Sequence, residues 1–171
     1  MEIEKQMSAL RTSMEAERGS LRHYLKFARA TEDESGKNMF LVLAADEVDH
    51  YELLEKQLDS LRLKGEVVEV EVKRSVVEEL VPRLKDDMKR DKGKEGLGQM
   101  EALSIAYDLE NRGVNFYREQ AELNDNPAAK DMYRRLAAME EAHLCLIQAE
   151  MDAIEGTGFW FDIPEFRLES G

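Results

Sequence analysis

The sequence predicts an all-α protein: a four-helix bundle with one long crossover and an internal pseudo-twofold repeat. The 171 residues include only 3 prolines and 10 glycines, which favours long helices over turn-rich β structure. Apolar residues recur at steps of three and four along four long segments, which is the spacing of amphipathic helices. Residues 7–53 also align with residues 100–146 after a shift of 93 positions, and 14 of the 47 pairs are identical. Two helical hairpins joined by a long crossover account for all three observations.

The four predicted helices cover about residues 2–31, 37–64, 99–123 and 127–155. The fourth begins after Asn126, because Asn is a good N-cap and the following proline suits the first helical turn. We therefore assign the bundle to residues 1–155.

Two stretches lie outside these helices. Val and Glu alternate in the segment after the second helix, which predicts extended chain. Ser75 with Glu78 then resembles a capping box, which predicts a short crossover helix ending near Lys89. The C-terminal tail, residues 156–171, carries aromatic residues that we expect to cover the bundle end or a dimer contact. They are Phe159, Trp160 and Phe161.

Charge and composition exclude several partners. The 37 acidic residues against 24 basic ones give a net charge of −13, which argues against nucleic acid and against an anionic membrane surface. No apolar run approaches the ~18 residues of a membrane span, and the first residues lack a signal-peptide core. The single cysteine, Cys145, excludes an internal disulfide and a thiolate metal cluster. We expect a cytoplasmic protein without a nucleic-acid or membrane partner.

Polar residues interrupt the apolar seams at matching positions of both halves. In each half a Glu-x-x-His pair shares one helix face, because residues three apart are neighbours on a helix. A further glutamate lies 30 residues before each pair, on the seam of the preceding helix. These residues are Glu17, Glu47, His50, Glu110, Glu140 and His143.

Four carboxylates in one bundle core need a source of positive charge. A bare carboxylate in an apolar interior costs several kcal/mol even after relaxation, and four would repel one another. No Lys or Arg lies at these seam positions to neutralise them. Two divalent cations would balance the charge and use the imidazoles as ligands, as in di-iron and di-manganese bundles. Carboxylate and imidazole ligands suit Fe, Mn or Zn.

At these residues the chain resembles the rubrerythrins of the ferritin-like superfamily, over about residues 7–155. The stretches "AERGSLRHYLKFA" and "DLENRGVNFY" are similar to the first-helix and third-helix motifs, with Glu17 and Tyr24 in one and Glu110 and Tyr117 in the other. "DEVDH" and "MEEAH" are similar to the Glu-x-x-His motifs of the second and fourth helices.

The resemblance implies a ferritin-like fold with a non-haem di-iron site that reduces hydrogen peroxide or O₂, in a protein that forms homodimers. The six seam residues would be the iron ligands, with Mn or Zn as other occupants. Tyr24 and Tyr117 each lie seven residues past a ligand glutamate on the same face. Either their hydroxyls orient ligand carboxylates or they are ordinary core tyrosines.

Two features depart from the family pattern. Typical rubrerythrins carry a second glutamate three residues after the third-helix ligand, where this chain has Gly113. The glycine either leaves room beside the metals or allows close helix contact. Typical members also carry a rubredoxin domain with two Cys-x-x-Cys motifs, which this sequence lacks. Electrons would then come from a separate donor such as a rubredoxin.

Two other functions remain open at this point. One is a ferroxidase that handles iron for storage, as ferritins do, although ferritin cages usually lack the second Glu-x-x-His pair. The other is a non-enzymatic bundle stabilised by a metal. Among residues near the ligands, we expect Asp46, Asp49 and Glu141 to point away from the site and Cys145 to be a buried, inert thiol.

Overall fold

The structure is a computed structural model that describes residues 2–69, 75, 77–78, 97–157 and 160. Within these residues the chain forms four long helices and no strand. They are α1 (Glu2–Ala30), α2 (Glu34–Lys64), α3 (Leu97–Leu123) and α4 (Pro127–Thr157). The fold is the expected all-α, ferritin-like four-helix bundle.

The helices pack as two hairpins. α1 packs along α2 and α3 packs along α4, while α1 also contacts α3. The long connection between α2 and α3 joins the hairpins, as the internal repeat predicted. None of the helices in the described ranges combines the length and apolar character that a membrane span requires.

Local capping explains where the helices begin and end. Asp33 accepts a hydrogen bond from Gly36 N at 3.0 Å, so α2 begins at Glu34, three residues before the predicted start. Gly65 ends α2 with φ 75°, a left-handed conformation that suits glycine. Asn126 accepts from the backbone of Ala128 and Ala129, which confirms the predicted cap of α4.

The beginning of the crossover is fixed to the bundle. Gln57 on α2 is fully buried and exchanges two side-chain hydrogen bonds with the backbone of Val68. Ser75 and Glu78 form the predicted capping box, with reciprocal bonds of 2.9 and 3.1 Å. Arg135 on α4 donates to the two oxygens of the Glu78 carboxylate through its terminal nitrogens, Nη1 and Nη2. The predicted helix toward Lys89 and most of the predicted extended segment lie outside the described residues.

The apolar core is divided into two clusters. One contains Tyr24, Phe40, Leu103 and Ile147, and the other contains Leu10, Leu54, Tyr117 and Leu136. Residues of all four helices contribute to each cluster. The polar seam residues occur between the two clusters along every helix.

Trp160 covers the end of the first cluster. Its ring lies edge-on to Phe40, with centroids 5.7 Å apart, and packs directly against Gly36. This is the bundle-end contact expected of the tail. The predicted roles of Phe159 and Phe161 fall outside the described residues.

Candidate metal centre

The bundle brings all six predicted ligand residues together in its interior. α1 and α3 each supply one glutamate, and α2 and α4 each supply a Glu-x-x-His pair. None of the six side chains exposes more than 5 % of its surface. They are Glu17, Glu47, His50, Glu110, Glu140 and His143.

The six residues form two overlapping groups, each able to hold a cation. The first group is Glu17, Glu47, His50 and Glu140, and the second is Glu47, Glu110, Glu140 and His143. Within each group the possible ligand atoms lie within 4.8 Å of one another. Glu47 and Glu140 belong to both groups, so their carboxylates stand between the two positions. The pseudo-twofold axis exchanges the groups.

Both imidazoles present Nδ1 to the carboxylates. His50 Nδ1 lies 3.1 Å from Glu140 Oε1, and His143 Nδ1 lies 3.0 Å from Glu140 Oε2. The two rings stack with centroids 5.5 Å apart. The Nδ1 atoms are therefore the ring nitrogens available to a metal.

The two predicted tyrosines hold the outer carboxylates across the bundle. Tyr24 on α1 donates its hydroxyl to Glu110 on α3, and Tyr117 on α3 donates to Glu17 on α1. Both tyrosines are buried. Of the two interpretations left open by the sequence, these hydrogen bonds favour hydroxyls that orient ligand carboxylates.

Asp46 was wrongly predicted to point away from the site. It is buried on α2, and its Oδ2 lies 3.0 Å from Nε2 of His143 on α4. It therefore supports an imidazole of the opposite hairpin. Glu141 does point outward, where it pairs with Arg118 at 2.7 Å, and Asp49 is exposed.

The charges of the cluster shift the pKa values of its members. Burial and the charge of Glu140 raise the pKa of Glu110 to about 7. The same two causes raise the pKa of Glu47 well above its usual value. Burial favours a higher pKa for Glu140 as well, but the positive charge of His50 lowers it to about 2. The cluster therefore contains more negative charge from its carboxylates than its imidazoles can balance.

Both imidazoles respond to the same field. Burial lowers their pKa, but Glu140 beside His50 and Glu110 beside His143 raise it well above the usual value. Protons bound to these side chains therefore neutralise part of the buried negative charge, which a bound cation would otherwise neutralise.

The donor set fits divalent cations. Several buried ligand atoms lie close to other ligand atoms but make no hydrogen bond of normal geometry among the described residues: both carboxylate oxygens of Glu47, Oε2 of Glu140 and Nδ1 of both histidines. Unsatisfied buried carboxylate oxygens are costly, and a hard cation satisfies several at once. Four carboxylates and two imidazoles match two divalent ions in charge and in ligand type.

Gly113 faces one of the shared carboxylates. A Cβ atom at this position would lie 3.4 Å from Cγ and 3.6 Å from Cδ of Glu140. Gly113 is half-buried, and its missing side chain leaves a small gap against the buried Glu140 that a methyl group would fill. The position thus borders the site, as its place after the third-helix glutamate predicted.

Cys145 corrects another expectation. It was predicted to be buried, yet its side chain is exposed on α4. It lies two residues past His143, so its side chain is on a different face of α4, which points away from the core. It takes no part in the cluster.

Fold and site together define a four-helix protein with a buried carboxylate–histidine cluster able to hold metal. Residues 8–151 match the family model described as Rubrerythrin. The chain therefore belongs to the rubrerythrin family. Comparison with curated proteins and with solved structures gave no match.

Proposed function

We propose that the protein is a non-haem di-iron oxidoreductase that reduces hydrogen peroxide to water with electrons from a separate donor protein. The observation that carries this proposal is the pair of four-residue groups sharing Glu47 and Glu140. Carboxylates common to two cation positions keep two metals adjacent, which suits the transfer of two electrons to one substrate.

Iron held by these six residues would supply the redox chemistry, namely the two electrons that, with two protons, convert hydrogen peroxide into two water molecules. The protein's own contribution is positional. Glu17 and Glu110 each accept a tyrosine hydroxyl, which fixes the carboxylate and directs its remaining lone pairs inward. The apolar clusters on both sides of the site exclude bulk water from it.

Gly113 is half-buried and lies directly against the shared carboxylate of Glu140, which makes it the candidate point of entry for a small oxidant. A Cβ atom at Gly113 would be in van der Waals contact with Glu140, so the gap beside this carboxylate is about the size of a methyl group. Peroxide and O₂ are both small enough to use such a space. We propose that the oxidant approaches the metals from this side of α3.

Electrons would come from a partner such as a rubredoxin. One cysteine in 171 residues cannot form the four-thiolate site of a rubredoxin. We further propose a cytoplasmic homodimer. Light scattering after size-exclusion chromatography measures the oligomeric state directly.

The decisive experiment combines metal analysis with turnover. Protein purified from iron-supplemented anaerobic cells should contain two iron ions per chain. The reduced protein should be oxidised rapidly by one equivalent of hydrogen peroxide and be re-reduced by a rubredoxin. A double variant, Glu47→Gln with Glu140→Gln, is the matched control and should lose both properties.

The other outcomes separate the competing functions. Full metal loading without peroxide or O₂ reactivity would mean a metal-stabilised, non-enzymatic bundle. Oxidation followed by release of ferric iron would indicate a ferroxidase. Failure to bind any divalent metal would reject the proposal altogether.

A further inference from the structure

The two ligand histidines differ in the hydrogen-bond partner of Nε2, the ring nitrogen on the side away from the carboxylate cluster. Nε2 of His143 lies 3.0 Å from the carboxylate of Asp46, and both side chains are buried. Nε2 of His50 is equally buried, yet it has no hydrogen-bond partner among the described residues. Each imidazole thus has three carboxylates within 4 Å of Nδ1, but within the described part of the chain only His143 has a carboxylate at Nε2.

The internal repeat shows where the difference arises. Asp46 corresponds, after the shift of 93 positions, to Met139 on α4. Met139 is buried, with 2 % of its surface exposed. By the pseudo-twofold relation, Met139 holds the place from which a carboxylate would support His50. A thioether is only a weak hydrogen-bond acceptor.

This difference affects metal binding through the ring tautomer. For Nδ1 to bind a cation, the proton of the neutral imidazole must reside on Nε2. At His143 that N–H donates to Asp46, which fixes the tautomer and makes Nδ1 a stronger ligand. At His50 the same N–H would be buried without an acceptor, so binding there carries an added penalty.

We infer that the two cation positions are inequivalent: the group containing His143 fills first, because Asp46 supports its imidazole and Met139 gives His50 no equivalent support. The inference rests on the proposed two-metal centre. Loss of such a supporting partner typically lowers metal affinity 10–100-fold. We expect a difference of about this size between the two positions.

The test is a titration of the metal-free protein with Co²⁺, followed by d–d absorption and by calorimetry. Repulsion between the two bound cations would by itself make the second binding step weaker than the first. The test therefore depends on which of the two positions fills first. His50→Ala should keep the tight step, and His143→Ala should weaken it about 10–100-fold. Circular dichroism of each metal-free variant checks that it is folded.

A second set of variants exchanges the supporting residues and leaves all six ligands intact. Asp46→Met should weaken the first step, and Met139→Asp should strengthen the second. The double exchange, Asp46→Met with Met139→Asp, should reverse the order, so that His143→Ala in this background keeps the tight step.

The outcomes distinguish this inference from the proposed function. Two ions bound with equal sensitivity to His50→Ala and His143→Ala would overturn the inequivalence and leave the two-metal centre standing. Unchanged first-step affinity in a folded Asp46→Met variant would overturn it as well. No Co²⁺ binding by the unmodified protein would remove the proposed centre itself.

Discussion

Tyr24 on α1 donates its hydroxyl hydrogen to Glu110 on α3, 86 positions further along the chain. Its repeat partner, Tyr117, makes the reciprocal bond to Glu17. Each helix that supplies an outer carboxylate therefore also supplies the donor for the other one. The two hydrogen bonds tie α1 to α3 at the level of the site.

Removing either hydroxyl should weaken metal binding. Tyr24→Phe and Tyr117→Phe each leave a buried carboxylate without its donor, and we expect metal affinity to fall about 10-fold or more. Tyr133→Phe is the matched control, because Tyr133 is buried outside the ligand cluster and its repeat partner is already a phenylalanine, Phe40. Competition with a chelator measures all three affinities. Equal affinities in the three variants would show that the hydroxyls are only packing.

Shared and outer carboxylates should differ in their effect on metal content. Glu47→Ala or Glu140→Ala removes a ligand from both groups, so iron should fall well below two ions per chain. Glu17→Ala removes a ligand from one group only, and about one ion should remain. Metal analysis of the purified variants decides this. Full loading of both shared-residue variants would disprove the assignment of the site.

Chelation should destabilise the protein, and more so at higher pH. In the folded chain Glu110 has a pKa of about 7 against a usual 4.5, so the folded state binds its proton more tightly than the unfolded state. That stability is complete below about pH 4.5 and is lost as the pH rises through about 7. The raised pKa of His50 and of His143 acts in the same direction above about pH 6.5.

The expected size follows from the shift of Glu110. Such a shift corresponds to about 3 kcal/mol, or roughly 6–12 °C in Tm for a chain of this length. Glu140 acts oppositely, since its depressed pKa costs stability only as the pH falls from about 4.5 toward 2. Calorimetric melts of the chelated protein between about pH 5 and pH 8 should show a falling Tm. If the Tm of the chelated protein does not change with pH, and the Glu110→Gln variant gives the same profile, then solvent reaches the carboxylates.

Gly113 should govern the preference for oxidant. Gly113→Glu places a carboxylate beside Glu140, where it can add a ligand, and the ratio of peroxide to O₂ reactivity should rise. Gly113→Ala adds only a Cβ in van der Waals contact with Glu140 and should stabilise the helix by about 1 kcal/mol. Stopped-flow oxidation of the ferrous proteins by each oxidant measures the ratio. An unchanged ratio in a folded, fully loaded Gly113→Glu protein refutes the prediction.

Gly36 should be required for Trp160 to pack in its observed position. A Cβ at Gly36 would lie 2.7 Å from Cζ2 of the indole, too close for the ring to remain in place. Trp160 is the single tryptophan, so its fluorescence reports the contact without interference. Gly36→Ala should shift the emission to longer wavelength, whereas Gly19→Ala, with no atom within 4 Å, should not. The same emission from both variants would show that Trp160 does not depend on this glycine.

The sequence predicted the helices and the six-residue cluster because both depend on periodicity. The apolar steps give the helix faces, and the repeat shows that Glu47 and Glu140 are equivalent without knowledge of the packing. Asp46 could not be assigned in this way. It lies one residue from a ligand, about 100° around the helix, and whether that direction meets solvent or α4 depends on how the hairpins dock. The loss of the repeat between Asp46 and Met139 was the available signal.

Cys145 shows the same limit of sequence-based prediction, but here a residue that was predicted to be buried is exposed. Its neighbours Leu146 and Ile147 are buried, and a cysteine among them suggests a core position. The bundle leaves that side of α4 uncovered within the described residues, so the thiol is exposed. Helical spacing identifies which residues share a face, but only the packed structure shows how wide the covered face is.

Each cation group takes three ligands from one hairpin and one shared glutamate from the other. A chain reduced to a single hairpin would therefore carry an incomplete coordination shell. Association with a copy of itself would complete the shell, because the copy would provide the missing glutamate and the crossing tyrosine. The present arrangement has the design of a symmetric dimer whose two subunits are joined in one polypeptide, so that the two halves can differ at single positions such as Asp46 and Met139.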